Sequence, residues 1–230
     1  MKIGIIAAME QELRLLLEEL QEGTEQLVFD NTYYTGKIGG HDLVLVQSGV
    51  GKVMSAMSVA VLADRFAVDA VINTGSAGAA SPDLAIGDTV IADKLAYHDV
   101  DLTAFGYNYG EMSGQPLYFK SDPHFIEVFK GLLEERALPA EIGLIVTGDS
   151  FIAGRDKIRA IMERFPQALA VEMEGAAVAQ AAHAAGKPFI VIRAMSDTAS
   201  HDADITFNEF VLEAGRQSAQ LLLDFLERLE

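Results

Sequence analysis

Short apolar runs alternate with segments in helical spacing along the chain, and this alternation constrains the fold more than any single motif. Lys2 leads into Ile-Gly-Ile-Ile-Ala-Ala, so residues 2–8 read as a strand buried on both faces. Residues 9–20 then repeat Leu13, Leu16, Leu17 and Leu20 with Glu between them, the pattern of an amphipathic helix. Strands are predicted at 26–29, 32–38 and 42–47, with Gly39-Gly40 as a turn. A helix is predicted at 51–65. A short β-branched strand at 70–73 runs into Thr74-Gly75-Ser76-Ala77-Gly78, where Gly75 and Gly78 suit a tight strand-to-helix turn. Strands follow at 88–92, 94–98, 141–147, 168–171 and 189–194, and helices at 122–136, 156–165, 173–185 and 207–229. Residues 103–118 read as loop. The pattern predicts an α/β fold, with a mixed central sheet and helices on both faces. No repeat or linker divides the chain, and 230 residues suit a single domain, 1–230.

Half of the residues are hydrophobic (50%), enough for a large core, while 17 Lys+Arg stand against 34 Asp+Glu for a net charge of −17. Such a surface is wrong for nucleic-acid backbones, which are bound by clustered cations, and for anionic membranes. There is no cysteine, which removes disulfides, thiol nucleophiles and Cys-ligated metals. No signal peptide is evident at the N-terminus and no run approaches the ~18 apolar residues of a membrane span, so a cytoplasmic protein is expected. The five histidines, His41, His98, His124, His183 and His201, lack metal-ligand spacing. His98 with Asp99 and Asp101 reads as polar strand-end residues rather than a metal site. No metal and no cofactor are expected.

Chemistry concentrates in two segments. Val171-Glu172-Met173-Glu174-Gly175-Ala176-Ala177-Val178 brings two carboxylates to the start of an Ala-rich helix. Val191-Ile192-Arg193-Ala194-Met195-Ser196-Asp197 ends an apolar strand in a base and an acid. Ligands of α/β folds bind where strands end and helices begin. Acids delivered there suit a neutral, hydroxyl-rich substrate with a poor leaving group. Each acid also has a plainer reading. Asp197 fits a turn or helix N-cap, Glu174 a helix-dipole partner, and Glu12 a solvated helix-start residue. The segment 73–78 is a weak phosphate loop, since no Lys follows it.

Six segments in order carry a resemblance: Gly4-Ile5-Ile6-Ala7-Ala8-Met9-Glu10-Gln11-Glu12, Ser48-Gly49-Val50-Gly51-Lys52, Asn73-Thr74-Gly75-Ser76-Ala77-Gly78, Gly148-Asp149-Ser150-Phe151, Val171-Glu172-Met173-Glu174 and Arg193-Ala194-Met195-Ser196-Asp197. Together they resemble the bacterial 5′-methylthioadenosine/S-adenosylhomocysteine nucleosidases of the purine nucleoside phosphorylase superfamily, over essentially the whole chain. Departures are small: Ala7, Gln11 and Ala79 stand where Gly, Glu and Gly are common in that family. The resemblance implies a three-layer α/β/α sandwich, usually a homodimer. It implies hydrolysis of the N-glycosidic bond of nucleoside thioethers, with release of adenine.

The same resemblance implies the site. Asp197 would be the general acid that protonates purine N7, with Ser196 orienting it. Glu174 would accept ribose hydroxyls and stabilise an oxocarbenium-like sugar. Glu12 would activate the attacking water with Arg193 and Ser76, beside Ala77 and Gly78, and Glu172 would support the ribose or Arg193. Phe151 would stack on adenine and the backbone at Ile152 would read its edge. Met9, Val50, Met173 and Phe207 would line the sugar and thioether pocket, while Leu102 and Phe105 would reach into a partner's pocket. A carboxylate at Glu12 beside a single Arg193 disfavours a phosphate nucleophile. Three alternatives remain: a phosphorylase, a nucleosidase for another adenosine derivative such as aminodeoxyfutalosine, and a non-catalytic nucleoside-binding protein.

Overall fold

The first strand, β1 (Lys2–Ala7), and the fourth, β4 (His41–Gln47), lie side by side and parallel, with Ile3 opposite Leu43 and Ile6 opposite Val46. Their apolar runs are continuous because both faces are covered. Ile3, Ile5, Leu43 and Leu45 point into one core, and Ile6, Val44 and Val46 into another. This computed structural model describes residues 1–136, 140–198 and 203–229, with only the backbone of 203–206.

The remaining elements follow in chain order. Helix α1 (Glu10–Glu19) precedes β2 (Gln21–Val28) and β3 (Asn31–Ile38), and α2 (Lys52–Asp64) follows β4. Then come β5 (Ala70–Ala79), β6 (Thr89–Tyr97), β7 (Phe119–Lys120) and α3 (Pro123–Arg136). The chain continues through β8 (Ala140–Thr147), α4 (Arg155–Arg164), β9 (Ala168–Glu172), α5 (Gly175–Ala184), β10 (Phe189–Asp197) and α6 (Ala203–Leu226).

Leu13 and Leu16 of α1, Phe125 and Phe129 of α3, and Leu222 and Phe225 of α6 cover one face of the sheet. Val59 and Leu62 of α2 and Ala176–Ala179 of α5 cover the other. This is the three-layer α/β/α arrangement with a mixed sheet. No helix among the described residues is long and apolar enough to cross a membrane.

Strand β5 organises the sheet. Along one edge it pairs in parallel with β10, from Val71 opposite Phe189 to Gly78 opposite Asp197. Along the other edge it pairs first with β1, at residues 70–73, and then with β9, at Gly78 and Ala79. Residues 74–77 have no strand on that second edge among the described residues. The sheet therefore forks at this point. Pairings of β10 with β6, β6 with β8 and β8 with β9 bring the second branch round into a ring.

Three sequence expectations change here. The segment 74–78 does not turn into a helix; it is the second half of β5, held by β10. The strands expected at 88–92 and 94–98 are one strand, β6, whose register against β8 shifts between Ala92 and Lys94. That shift is a bulge, which interrupts the alternation on which the division rested. The strand expected at 26–29 begins at Gln21, and residues 21–27 are exposed, which hides the pattern.

The α3–α6 contact is an aromatic stack. The rings of Phe129 and Phe225 lie 4.0 Å apart and nearly parallel, with Phe125 edge-on to Phe225 at 5.8 Å. Replacing the fully buried Phe225 with Ala is expected to cost about 3–5 kcal/mol and to lower the Tm by roughly 10 °C. Scanning calorimetry would measure this, and a fall under about 2 °C would show that the layer closes over the gap.

Candidate active site

The fork in β5 opens into a cavity of ≈ 320 Å³. Strand and helix ends line it. Ala8, Met9 and Glu12 follow β1, Val50 precedes α2, and Ser76, Ala77 and Gly78 belong to β5. Ser150, Phe151 and Ile152 follow β8, Val171 to Glu174 span the end of β9, Ser196 and Asp197 end β10, and Phe207 looks in from α6.

Glu12 is not a solvated helix-start acid; it is 2% exposed. It sits at the third position of α1 and reaches back, with Oε2 accepting the Ala8 and Met9 amides at 3.0 and 3.1 Å. That is one half of a capping box. Oε1 accepts both the Ser76 amide and the Ser76 hydroxyl at 2.9 Å. The amide is available because the fork leaves that edge of β5 unpaired. A Cβ on Gly75 would lie 2.9 Å from the same carboxylate, so the residue before Ser76 has no room for a side chain.

The helix-end task that the plainer reading offered for Glu174 falls to Glu172. Glu174 occupies the N-cap position of α5 rather than its first turn, and its side chain makes no cap bond. Glu172 does the capping. Its Oε2 accepts the Glu174 and Gly175 amides at 3.0 and 2.7 Å, and its Oε1 accepts the Thr147 hydroxyl, which in turn accepts the Ala176 amide at 2.8 Å. Glu172 also pairs with Arg193 at 2.6 Å, both being buried. Asn73 Oδ1 accepts from the same guanidinium, and Asn73 Nδ2 donates to Ile6 O at 2.9 Å.

Released from capping, the Glu174 carboxylate accepts the Gly51 amide at 2.8 Å. Burial, then the negative charge of Glu172, pushes it up to about 7, against the smaller opposing pull of Arg193 and the Gly51 amide. Asp197 is 1% exposed at the end of β10. The Ser196 hydroxyl lies 3.2 Å from its Oδ2 and 3.3 Å from Ala77 O. Phe151 and Phe207 meet edge to face with centroids 5.4 Å apart, forming an apolar wall opposite the acids.

The site therefore joins most of the residues singled out from sequence, but not all. Arg193 does not line the cavity, and among the described residues no ion pair links it to Glu12; it serves Glu172 behind the wall. Leu102 and the 79%-exposed Phe105 do not line this chain's own cavity. Sequence reading passed over Ala8 and Val171 in the lining, and over Asn73 and Thr147 as supports. Polar residues inside otherwise apolar strands were the available signal for the last two. His98, Asp99 and Asp101 diverge. His98 packs against Gly148, Asp99 takes Lys52, and Asp101 takes Thr103. Among the described residues no group of three or more His, Asp or Glu is placed to hold a metal ion. His201 lies outside the described residues.

A family model described as the phosphorylase superfamily matches residues 2–227. The 5′-methylthioadenosine/S-adenosylhomocysteine nucleosidase of Aeromonas salmonicida (strain A449) is 44% identical over 230 residues, 100% of each chain. The chain belongs to this nucleosidase family. The resemblance read from its six segments is thus borne out. Among solved structures, S-adenosylhomocysteine nucleosidase from Streptococcus pyogenes in complex with 5-methylthiotubericidin superposes with a TM-score of 0.99 at 63% identity, covering 100% of this chain and 98% of that one. The Streptococcus pneumoniae 5′-methylthioadenosine/S-adenosylhomocysteine nucleosidase with the transition-state inhibitor MT-ImmA gives 0.98 at 62% identity, with 100% of both chains covered. The nucleosidase family fold expected from sequence is the fold observed.

The raised Glu174 carboxyl has a consequence for stability. A carboxyl that binds its proton more tightly folded than unfolded contributes stability that is complete below its ordinary value of 4.5 and lost as pH rises through about 7. Glu174→Gln has no such proton to lose. Its Tm relative to the parent chain is expected to climb by roughly 5 °C between about pH 5 and about pH 8. Parallel Tm–pH curves for the two proteins would contradict the buried, proton-holding state of Glu174.

Proposed function

We propose that this chain hydrolyses the N-glycosidic bond of 5′-methylthioadenosine and S-adenosylhomocysteine. The products are adenine with 5-methylthioribose or S-ribosylhomocysteine. One observation carries the choice of water over phosphate. Among the described residues, the cavity lining holds four carboxylates, Glu12, Glu172, Glu174 and Asp197, and no Lys or Arg. A phosphate dianion needs cationic partners, and such a cavity repels it. A sugar that becomes cationic as its base departs is stabilised by the same field.

In this reading Asp197, buried at the end of β10 and oriented by Ser196, delivers a proton to purine N7. The base leaves along the apolar wall of Phe151 and Phe207. Glu174 accepts the ribose hydroxyls and, as the sugar becomes cationic, is drawn into its charged form. Water is activated at Glu12. Of the four donors on that carboxylate, three are backbone amides and one is the Ser76 hydroxyl, the only one free to rotate. Water takes the place of that hydroxyl on Oε1 and attacks C1′. Arg193 acts indirectly, by pairing with Glu172 and so keeping α5 in place.

The active form in this reading is a cytoplasmic homodimer. Phe105 is exposed and absent from its own cavity, as suits a side chain that closes a partner's site. Light scattering on the purified protein is expected to give twice the mass of the 24.8 kDa chain. Phe105→Ala is expected to raise KM more than it lowers kcat. A fully active monomer would remove Phe105 from this role.

Product analysis tests the chemistry. Incubation with 5′-methylthioadenosine is expected to yield adenine and free methylthioribose at the same rate with and without phosphate; a sugar 1-phosphate would make the protein a phosphorylase. Asp197→Asn and Glu12→Gln are each expected to lower kcat by about 10²–10⁴-fold while still binding inhibitor. Unchanged kcat in either variant would remove that residue from the chemistry.

A further inference from the structure

A charged cluster beside the cavity is left unused by this mechanism. Lys52 Nζ lies 2.7 Å from Asp99 Oδ2 and 3.6 Å from Asp149 Oδ2. The Asp149 amide donates to Asp99 Oδ2 at 2.9 Å, which fixes the start of the loop carrying Ser150, Phe151 and Ile152. Asp149 Oδ1 accepts the Lys52 amide at 2.9 Å, at the first residue of α2. No side chain of α2's own N-cap is available for that task, because the cap is Gly51.

Gly51 is a glycine for two reasons. Its φ is +100°, and a Cβ there would lie 3.1 Å from Asp149 Oδ1. The same residue sends its amide to Glu174 at 2.8 Å. Asp149 thus holds one amide of the α2 entry while the adjacent amide points at the sugar-facing carboxylate.

We propose that Asp149 is a positioning residue: it locks the first turn of α2 so that the Gly51 amide stays on Glu174, tying the sugar side of the cavity to the Phe151 loop. Asp149 does so through backbone rather than by touching a substrate. Without the lock, the Gly51 amide drifts off Glu174, which loses a donor that favours its charged form. The other groups acting on Glu174 are Glu172 from β9, Arg193 from β10 and Glu12 from α1, with Asp197 lining the same cavity. None of these touches Asp149 among the hydrogen bonds and ion pairs of the described residues.

The direction of the effect is diagnostic. Deleting a nearby negative charge makes a carboxyl easier to ionise; losing an amide donor makes it harder. A carbon-13 NMR titration of the glutamate carboxyls in the free protein, with Glu174 assigned by its absence in Glu174→Gln, reads this directly. In Asp149→Ala the Glu174 carboxyl is expected to bind its proton about threefold to tenfold more tightly. Asp149→Asn, whose amide oxygen still accepts the Lys52 amide but which carries no charge, is expected to show a midpoint at or slightly below the parent's and never above it. An unchanged midpoint in Asp149→Ala overturns the proposal, and a lowered one shows that Asp149 acts only through its charge.

The kinetic arm rests on the proposed hydrolysis. In Asp149→Ala, kcat is expected to fall about fivefold near neutral pH with KM within about twofold. The acid limb of the kcat–pH profile should move upward with the NMR midpoint. A rise in KM alone overturns the proposal. A parent enzyme that releases no adenine defeats the hydrolase reading, while the NMR titration still decides the role of Asp149.

Discussion

The buried Arg193–Glu172 pair is the contact on which the active region depends. It joins the middle of β10 to the end of β9 and sits behind the cavity wall. Neither charge is tolerable alone at that depth; breaking such a pair by removing one partner typically costs about 3–5 kcal/mol. The pair is also embedded. Asn73 holds the guanidinium and is itself anchored to β1, while Thr147 and the first amides of α5 surround the carboxylate. Six elements, β1, β5, β8, β9, β10 and α5, are brought into register by one ion pair and its partners. Arg193 is thereby spent on structure, and among the described residues no Lys or Arg lines the cavity beside its acids.

The second constraint is the fork in β5. A parallel sheet that continued past residue 73 would have paired the Ser76 amide with another strand. Because β1 stops and β9 joins only at Gly78, that amide is left for the Glu12 carboxylate. The cavity is therefore not carved into the fold afterwards; it is the space where one strand neighbour ends before the next begins. Binding where strands end is the general habit of α/β folds. Here the habit takes a specific form, since the ends of β1, β8, β9 and β10 all face the same gap.

Much of this was legible in the residues. The apolar run at 2–8 and the leucine spacing after it describe β1 and α1, because burial on two faces and on one stripe leave different patterns. Glu12, Glu174 and Asp197 do share one cavity. What sequence hid has physical reasons. The Gly-Ser-Ala-Gly of β5 resembles a turn, since its small residues make way for Glu12 rather than for a bend. The bulge at Ala92 to Lys94 breaks the alternation of β6. Glu172 and Glu174 are equivalent acids by position. Only the three-dimensional placement of Arg193 and the α5 amides decides that the first caps the helix and the second is left to the Gly51 amide and the cavity. Asn73 and Thr147 stand out only as polar residues in apolar strands; what they hold is hidden because their partners lie in other elements.

The acids in the lining also bear on which adenosine derivatives can compete. A nucleoside whose 5′ position ends in a thioether brings no phosphate into the cavity, whereas a 5′-phosphate brings a dianion to a lining that, among the described residues, holds four carboxylates and no Lys or Arg. The cost rises steeply in a buried, weakly screened space. The chamber thus works as a charge sieve. Phosphorylated nucleotides share the adenine and the ribose, and repulsion by these acids disfavours them without a residue dedicated to that task.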